Sequence, residues 1–337
     1  MTTTTSSAPT TPTDEPAVRR PRHRGAPGRR TVSTRVIPWL FLAVPLGFLI
    51  LFTYLPVLNM LGYSITDWDG LSKTRENVGL ENYVKIFTQP DNLRVFYVSL
   101  YYFAASFVQL ALALYFATIL SFKVRFVNLW KGLLFFPYLI NGVAIGLIFN
   151  NFLRPEGGLD TLLMSLGLES LIHQWTGDPA MVNITLATVS VWRYMGLNFV
   201  LFLGAIQSVP GELYEAAALD GANRWDQFRH LILPAIRPIV GLSVILAISG
   251  SLAVFEIPYI MTGGANWSET FVIRTIRMAF ELNNVGLASA MAVVLLLIVL
   301  IVTWVQRTLV DDDDERDARR AAKREARRAK ALAQEGR

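Results

Sequence analysis

Long apolar runs alternate with polar segments along this chain, at about residues 36–63, 93–121, 130–153, 181–206, 239–262 and 285–307. Each is long enough to cross a bilayer as a helix, because about 20 residues cover roughly 30 Å of hydrocarbon. Hydrocarbon offers no water to backbone amides, so each span must satisfy its own hydrogen bonds. The pattern therefore predicts an all-α membrane protein with six transmembrane helices. The first run holds Pro38, Pro45 and Pro56, which predicts a kinked or tilted helix. Between the fourth and fifth runs lies a polar, helix-prone insert. Pro210 suits a first helical turn, and Asp220-Gly221 breaks the helix that follows. Asn223 is a good N-cap for a second short helix, predicted to stop at or just before Pro234. The insert reads as helix–turn–helix outside the hydrocarbon, tethered to the membrane at both ends. Such a part can carry a push from a soluble partner into a bundle.

The polar flanks divide the chain into three: residues 1–35, 36–307 and 308–337. The first is Thr/Pro/Arg-rich and too polar to fold, and is expected to be disordered. It shows no small-residue cleavage site before Tyr63, so the first run is expected to be a retained anchor. The last runs acidic then basic, the order that complements a helix dipole, with anionic lipid as an alternative partner. Basic residues set the orientation. Arg19, Arg20, Arg22, Arg24, Arg29, Arg30 and Arg35 place the N-terminus in the cytoplasm, and six crossings return the C-terminus there. Lys123, Arg125 and Lys131, and then Arg224, Arg229 and Arg237, fall inside on the same count. The acidic segment 154–180 falls outside. Lys73, Arg75 and Lys85 in the first outer loop run against the trend.

Composition agrees with the hydropathy pattern. Of 337 residues, 53% are hydrophobic and 17% charged, and the mean hydropathy is +0.39, which excludes an ordinary soluble domain. The net charge of +5 sits mainly in the tails and reads as topology, not nucleic-acid binding. There is no cysteine, which excludes disulfides, thiolate metal sites and cysteine nucleophiles. His23, His173 and His230 have no metal-ligand spacing. No G-x-x-x-x-G-K-[ST] occurs, so this chain binds no ATP through a P-loop, and any ATPase is a separate subunit. No catalytic acid pair or triad stands out, so an enzyme is disfavoured, and no cofactor or metal is expected on this chain.

The insert carries the most specific motif. Glu215, Ala216, Ala217, Gly221, Leu233 and Pro234 match the spacing E-A-A, three residues, G, nine residues, an aliphatic, one residue, L-P. That resembles the EAA signature of bacterial ABC-importer membrane subunits. Leu231 stands where the family usually has Ile. Other segments resemble carbohydrate-uptake permeases: Ser64-Ile65-Thr66-Asp67-Trp68 after the first run, Val78-Gly79-Leu80-Glu81-Asn82-Tyr83 before the second, and Thr262-Gly263-Gly264 after the fifth, with Ala265 where proline is usual. Phe136-Pro137 stands where Leu-Pro is common. The Thr262-Gly263-Gly264 element resembles the maltose or glycerol-phosphate first-permease type more than its sister subunit. The resemblance covers about residues 36–307. It implies an ABC-importer permease core with cytoplasmic EAA coupling helices in a bacterial cell membrane. The implied partners are a homologous second permease, an ATPase homodimer carrying ATP and Mg, an extracellular solute-binding protein, the lipid bilayer and a sugar substrate. It also implies that Glu215 meets a basic residue of the ATPase.

Polar groups at membrane depth are the candidates for a substrate path. In the fourth run Ser190, Arg193, Tyr194 and Asn198 share one broad helical face. In the fifth, Ser251, Phe255, Glu256 and Tyr259 share another, and the third adds Asn141. Aromatic rings beside hydroxyl and amide groups suit a sugar, whose C–H faces and hydroxyls need both. Serine and asparagine also join neighbouring membrane helices, and Arg193 can pair with Glu256 or with a partner permease, so path and packing roles stand open. The expected activity is sugar import. Its alternatives are another small solute, such as glycerol phosphate or a polyol, or a non-transport membrane scaffold.

Overall fold

The structure, a computed structural model, describes residues 32–122, 124–305 and 308, with side chains at 39 and from 41 onward. The expected disordered N-tail, the charged C-tail and Lys123 lie wholly or almost wholly outside the described residues. The chain forms two compact units, Met1–Pro56 and Val57–Arg337.

The first apolar run begins with α1 (Val32–Leu49), widens into a π turn (Ile50–Tyr54) and continues as α2 (Leu55–Tyr63). The π turn lies just ahead of Pro56, and Leu55 N–H donates to Ile50 O. A proline ring clashes with the carbonyl four residues back and brings no N–H of its own. Opening one turn to i→i+5 bonding relieves both problems without ending the helix.

The second unit holds α3 (Glu81–Thr88), α4 (Pro90–Ser121), α5 (Val127–Leu139), α6 (Gly142–Leu153), α7 (Gly158–Ser165) and α8 (Val182–Gln207). It continues with α9 (Gly211–Leu219), α10 (Arg224–Gln227), α11 (Leu233–Leu252), α12 (Glu256–Thr262) and α13 (Phe271–Phe280), and ends in α14 (Val285–Val305). The described residues contain no strand, and their one isolated bridge joins Thr66 to Asn77. Five helical stretches are long and apolar enough to cross a membrane: Phe41–Tyr63, Pro90–Ser121, Val182–Gln207, Arg224–Thr262 and Val285–Val305. A sixth crossing arises if α5 and α6 together make one span. These positions agree with the apolar runs.

Two runs are not the straight helices that hydropathy suggests. The third is bent by 97° between α5 and α6. Ile140 is extended, and Asn141 caps α6 by accepting from Val143 N–H at 2.8 Å. The fifth breaks over Ala253–Phe255. Pro258 explains this break, because the carbonyl its ring would strike belongs to Val254, four residues back. That freed carbonyl accepts from Thr270 Oγ1 at 2.8 Å, so the interruption leaves it satisfied. A third departure concerns Pro234. The helix opened by Asn223 does not stop there. It passes through a π turn (Phe228–Ile232) straight into α11, with Leu233 N–H donating to Phe228 O and Pro234 in the first turn. The same device precedes Leu55-Pro56.

α8 packs along α4, and α11 packs against both. Leu110, Ala113, Ala117, Phe199, Phe202, Ile206, Ile232 and Ile236 are buried where they meet. α6 packs on α12 through Gly142 and Gly146: Ile260 lies where a Cβ on Gly146 would sit. Asn150 donates to Met261 O at 3.2 Å. Lipid supplies no hydrophobic drive between helices, so small residues and polar bonds carry this packing.

The loop from α12 to α13 is tied down by charge. Glu269 accepts from Arg277 Nη1 at 2.7 Å and pairs with Arg274 at 3.5 Å, while Arg277 Nη2 holds Gly263 O at 3.0 Å. Burial pushes the Glu269 carboxyl above its ordinary value, against the opposing pull of Arg274 and Arg277. A carboxyl with a raised folded value contributes stability that is complete below its unfolded value and is lost as pH rises through the folded one. Glu269→Gln is therefore expected to flatten the decline in thermal stability as pH rises from the ordinary carboxylate range towards neutrality. Melting curves in detergent across that range check the slope, and an unchanged slope would show that burial does not dominate here.

Candidate functional site

A cavity of about 520 Å³ opens between α4, α5, α8 and the break that separates α11 from α12. Its wall is mixed, with aromatic and aliphatic surface interrupted by hydroxyl and amide groups. From α8 come Ser190, Tyr194 and Asn198 at successive i+4 steps. The same row of α8 continues at both ends into buried apolar residues, Leu186 and Phe202, so the polar groups occupy the middle of one helical face. From α11 and the break come Ser251, Phe255 and Glu256. The break matters locally, because it turns Phe255 and Glu256 out of the helical path and puts them in the wall.

Six sequence candidates thus meet: Ser190, Tyr194, Asn198, Ser251, Phe255 and Glu256. Three do not line the wall. Asn141 caps α6. Tyr259 stacks on Phe255, with ring centroids 4.8 Å apart. Arg193 lies behind the wall, donating from Nη1 to Glu256 Oε2 at 2.7 Å and to Tyr194 OH at 3.1 Å. The Arg193–Glu256 pairing anticipated as one alternative is therefore present.

Tyr102, Ser106 and Gln109 of α4 and Tyr138 of α5 also line the cavity and escape the sequence criteria above. Their signal is the i, i+4, i+7 spacing of three polar groups in the second apolar run, which makes one face. The serines are partly spoken for. Ser106, Ser190 and Ser251 donate to Phe103, Leu186 and Ile248 carbonyls of their own helices, not to neighbouring helices, and keep their acceptor lone pairs. Tyr102 OH and Asn198 Oδ1 are buried with no hydrogen-bond partner among the described residues. Buried polar atoms nearly always have partners, so these two are the groups best placed to bind something polar.

The insert forms a second candidate site. α9 ends in a Schellman motif: Ala222 N–H donates to Ala217 O at 2.9 Å and Gly221 N–H to Ala218 O at 3.1 Å, with Gly221 at φ +83°. α10 starts in a capping box between Asn223 and Asp226. Glu215, Ala216, Gly221, Leu233 and Pro234 are exposed, and Ala217 is half-buried. Two exposed apolar groups flank the turn, Leu219 at 90% and Trp225 at 65%. The EAA spacing alone did not single these two residues out. Tyr214 packs inward against the same core as Phe202 and Ile232, and burial raises its hydroxyl above the ordinary value.

Residues 109–312 match the family of binding-protein-dependent transport system inner membrane components. The chain belongs to this family. The match spans the insert and most of the cavity wall, with Tyr102 and Ser106 just ahead of it. Among relatives, a probable ABC transporter permease protein, YurN, of Bacillus subtilis is 34% identical over 266 residues, covering 77% of this chain and 91% of the relative. The diacetylchitobiose uptake system permease protein NgcF of Streptomyces coelicolor is 34% identical over 305 residues, covering 85% and 86%. A solved bacterial ABC transporter involved in import of the acidic polysaccharide alginate has a chain of the same fold, with TM-score 0.71 at 20% identity, covering 82% of this chain and 97% of that one. This chain is therefore a multi-pass membrane permease component working with a binding protein, and a transport part, not an enzyme.

Proposed function

We propose that this chain is the sugar-conducting permease of an ATP-driven importer, and that the cavity between α4, α5, α8 and the α11–α12 break is its substrate path. The observation that carries this reading is the cavity wall. Aromatic rings beside hydroxyl and amide groups, two of them buried without partners among the described residues, suit a polyhydroxylated ligand at membrane depth. A relative named for diacetylchitobiose uptake supports the same substrate class. In this reading residues 36–307 are the permease domain and both tails are cytoplasmic. A homologous second permease completes the passage. An ATPase homodimer, which holds ATP and Mg, docks on α9 and α10 through Glu215, Leu219 and Trp225. Closure of the ATPase moves the insert, and the insert re-packs α8 and α11, which it joins directly.

Purification in mild detergent tests the assembly. Mass spectrometry is expected to find a second permease and an ATPase with this chain. In proteoliposomes, with the binding protein supplied, Asn198→Leu is expected to lower sugar uptake at low sugar concentration roughly tenfold, the size of one lost buried hydrogen bond of about 1.4 kcal/mol. A chain that purifies alone, or an Asn198→Leu variant with unchanged uptake, would sink the corresponding half of the reading.

A further inference from the structure

Charge is divided unevenly across the cavity wall. Glu256 is in the wall and its side chain remains 49% exposed, whereas the Arg193 side chain behind it is 11% exposed. Arg193 commits Nη1 to Glu256 Oε2 and to Tyr194 OH, and its guanidinium carbon lies 4.9 Å from the Tyr194 ring centroid. Its Nε is buried. Gly142 closes the pair from the side of α6, since a Cβ there would fall on the Glu256 carboxylate and on Arg193 Nη1. The pair is thus boxed in by α6, α8 and α12, with one side open to the cavity. Glu256 Oε1 accepts no hydrogen bond from any described residue. Among the described residues that line the cavity, Glu256 is the one charged group, and it can only accept.

We infer that Glu256, positioned by Arg193, is the specificity-determining group of this half of the path: it accepts hydrogen bonds donated by the hydroxyls of uncharged sugars and turns away uronates and phosphate esters. The inference rests on the cavity being a sugar path. Its physical basis is the direction of the pair. The positive partner lies behind the wall with Nη1 held by Glu256 and Tyr194, so an anionic ligand entering the cavity meets the carboxylate first, and the like charge disfavours it. A neutral sugar meets an acceptor already held in place, without an unpaired charge being buried to provide it. The choice narrows the substrate class from small polar solutes in general to uncharged ones, and sets glycerol phosphate aside.

Saturation-transfer NMR on the permease–ATPase assembly in nanodiscs, without the soluble binding protein, tests this. The neutral probes are maltose, lactose, cellobiose and N,N′-diacetylchitobiose. The anionic probes are digalacturonate and glycerol 3-phosphate. The native assembly is expected to give signal with at least one neutral probe and with neither anion. Glu256→Gln leaves the Arg193 charge uncompensated. It is expected to weaken the neutral signal about fivefold and to bring in an anion signal absent before. The uncharged double variant Arg193→Gln/Glu256→Gln is expected to lose the anion signal again, which separates charge from misfolding. A group that merely holds the fold would lower every signal together. Equal binding of both probe classes by the native assembly, or loss of neutral binding in Glu256→Gln with no anion gained, overturns the role of Glu256 and leaves the sugar path standing. Native assembly that binds none of the neutral sugars overturns both.

Discussion

Gly221→Val is expected to leave the chain normally inserted in the membrane and to cut ATP-driven uptake by roughly fivefold or more. Gly221 sits at φ +83°, in the left-handed region that a β-branched residue adopts at a cost of about 1–3 kcal/mol. No atom of the described residues beyond its two chain neighbours lies within 4 Å of where its Cβ would be, so the penalty comes from the backbone and not from crowding. It falls on the turn that sets α9 against α10, and hence on the relative positions of Glu215, Leu219 and Trp225. At about 1.4 kcal/mol per factor of ten, that range spans roughly a fivefold to a 150-fold loss of correctly shaped insert. Hydrolysis by the ATPase is expected to continue without responding to substrate. Gly221→Asn separates the two causes, since asparagine tolerates the left-handed region while adding a comparable bulk. It is expected to transport at close to the native rate. Uptake by the valine variant within twofold of native, or equal losses in both variants, would show that this turn does not govern coupling.

How much of this was legible beforehand differs from element to element. The spans were legible because hydrocarbon thickness sets their length, and the α8 face because i, i+4 spacing needs nothing beyond one helix. The insert was legible for the same local reason: Asp220-Gly221 ends a helix and Asn223 starts one whatever surrounds them. Hydropathy is blind to the breaks at Asn141 and Val254, since an interrupted apolar run scores like a continuous one. The cues were present all the same, in Pro258 acting on the carbonyl of Val254 and in Asn141 placed to cap Gly142. Pro234 misled in the opposite direction, because a π turn lets a helix run through a proline that would otherwise end it. The Arg193–Glu256 contact joins residues 63 positions apart. Residue types allowed it, but only the meeting of α8 with the α11–α12 break selects it over a partner on another chain. Tyr102, Ser106 and Gln109 became part of the site through the packing of α4 on α8, which no pattern within α4 alone specifies.

That packing has a second vulnerable point. Gly196→Leu is expected to be strongly damaging to the packing around the cavity, and Gly196→Ala a milder version of it. A Cβ at Gly196 would lie 2.6 Å from Leu134 O and 3.0 Å from Phe135 Cα, both backbone atoms of α5 that no rotamer change can move aside. Helix propensity argues the other way, since alanine is favoured over glycine by about 0.8–1.0 kcal/mol in a helix interior. The contact decides the sign: overpacking typically costs about 1–3 kcal/mol, and here relief requires shifting α5 bodily away from α8. Such a shift would part Tyr138 from Tyr194, whose ring centroids are 6.5 Å apart across the cavity wall, so stability and transport should fall together. Gly204 lies on the same helix, where a Cβ would meet none of the described residues within 4 Å beyond the helix's own neighbouring backbone, and Gly204→Ala should leave melting unchanged or raise it. Thermal melting of the purified chain in detergent, with Gly204→Ala beside Gly196→Ala and Gly196→Leu, decides the matter. A Gly196→Ala variant as stable as native would mean that α5 yields easily and that the cavity wall is not held at a set width by this contact.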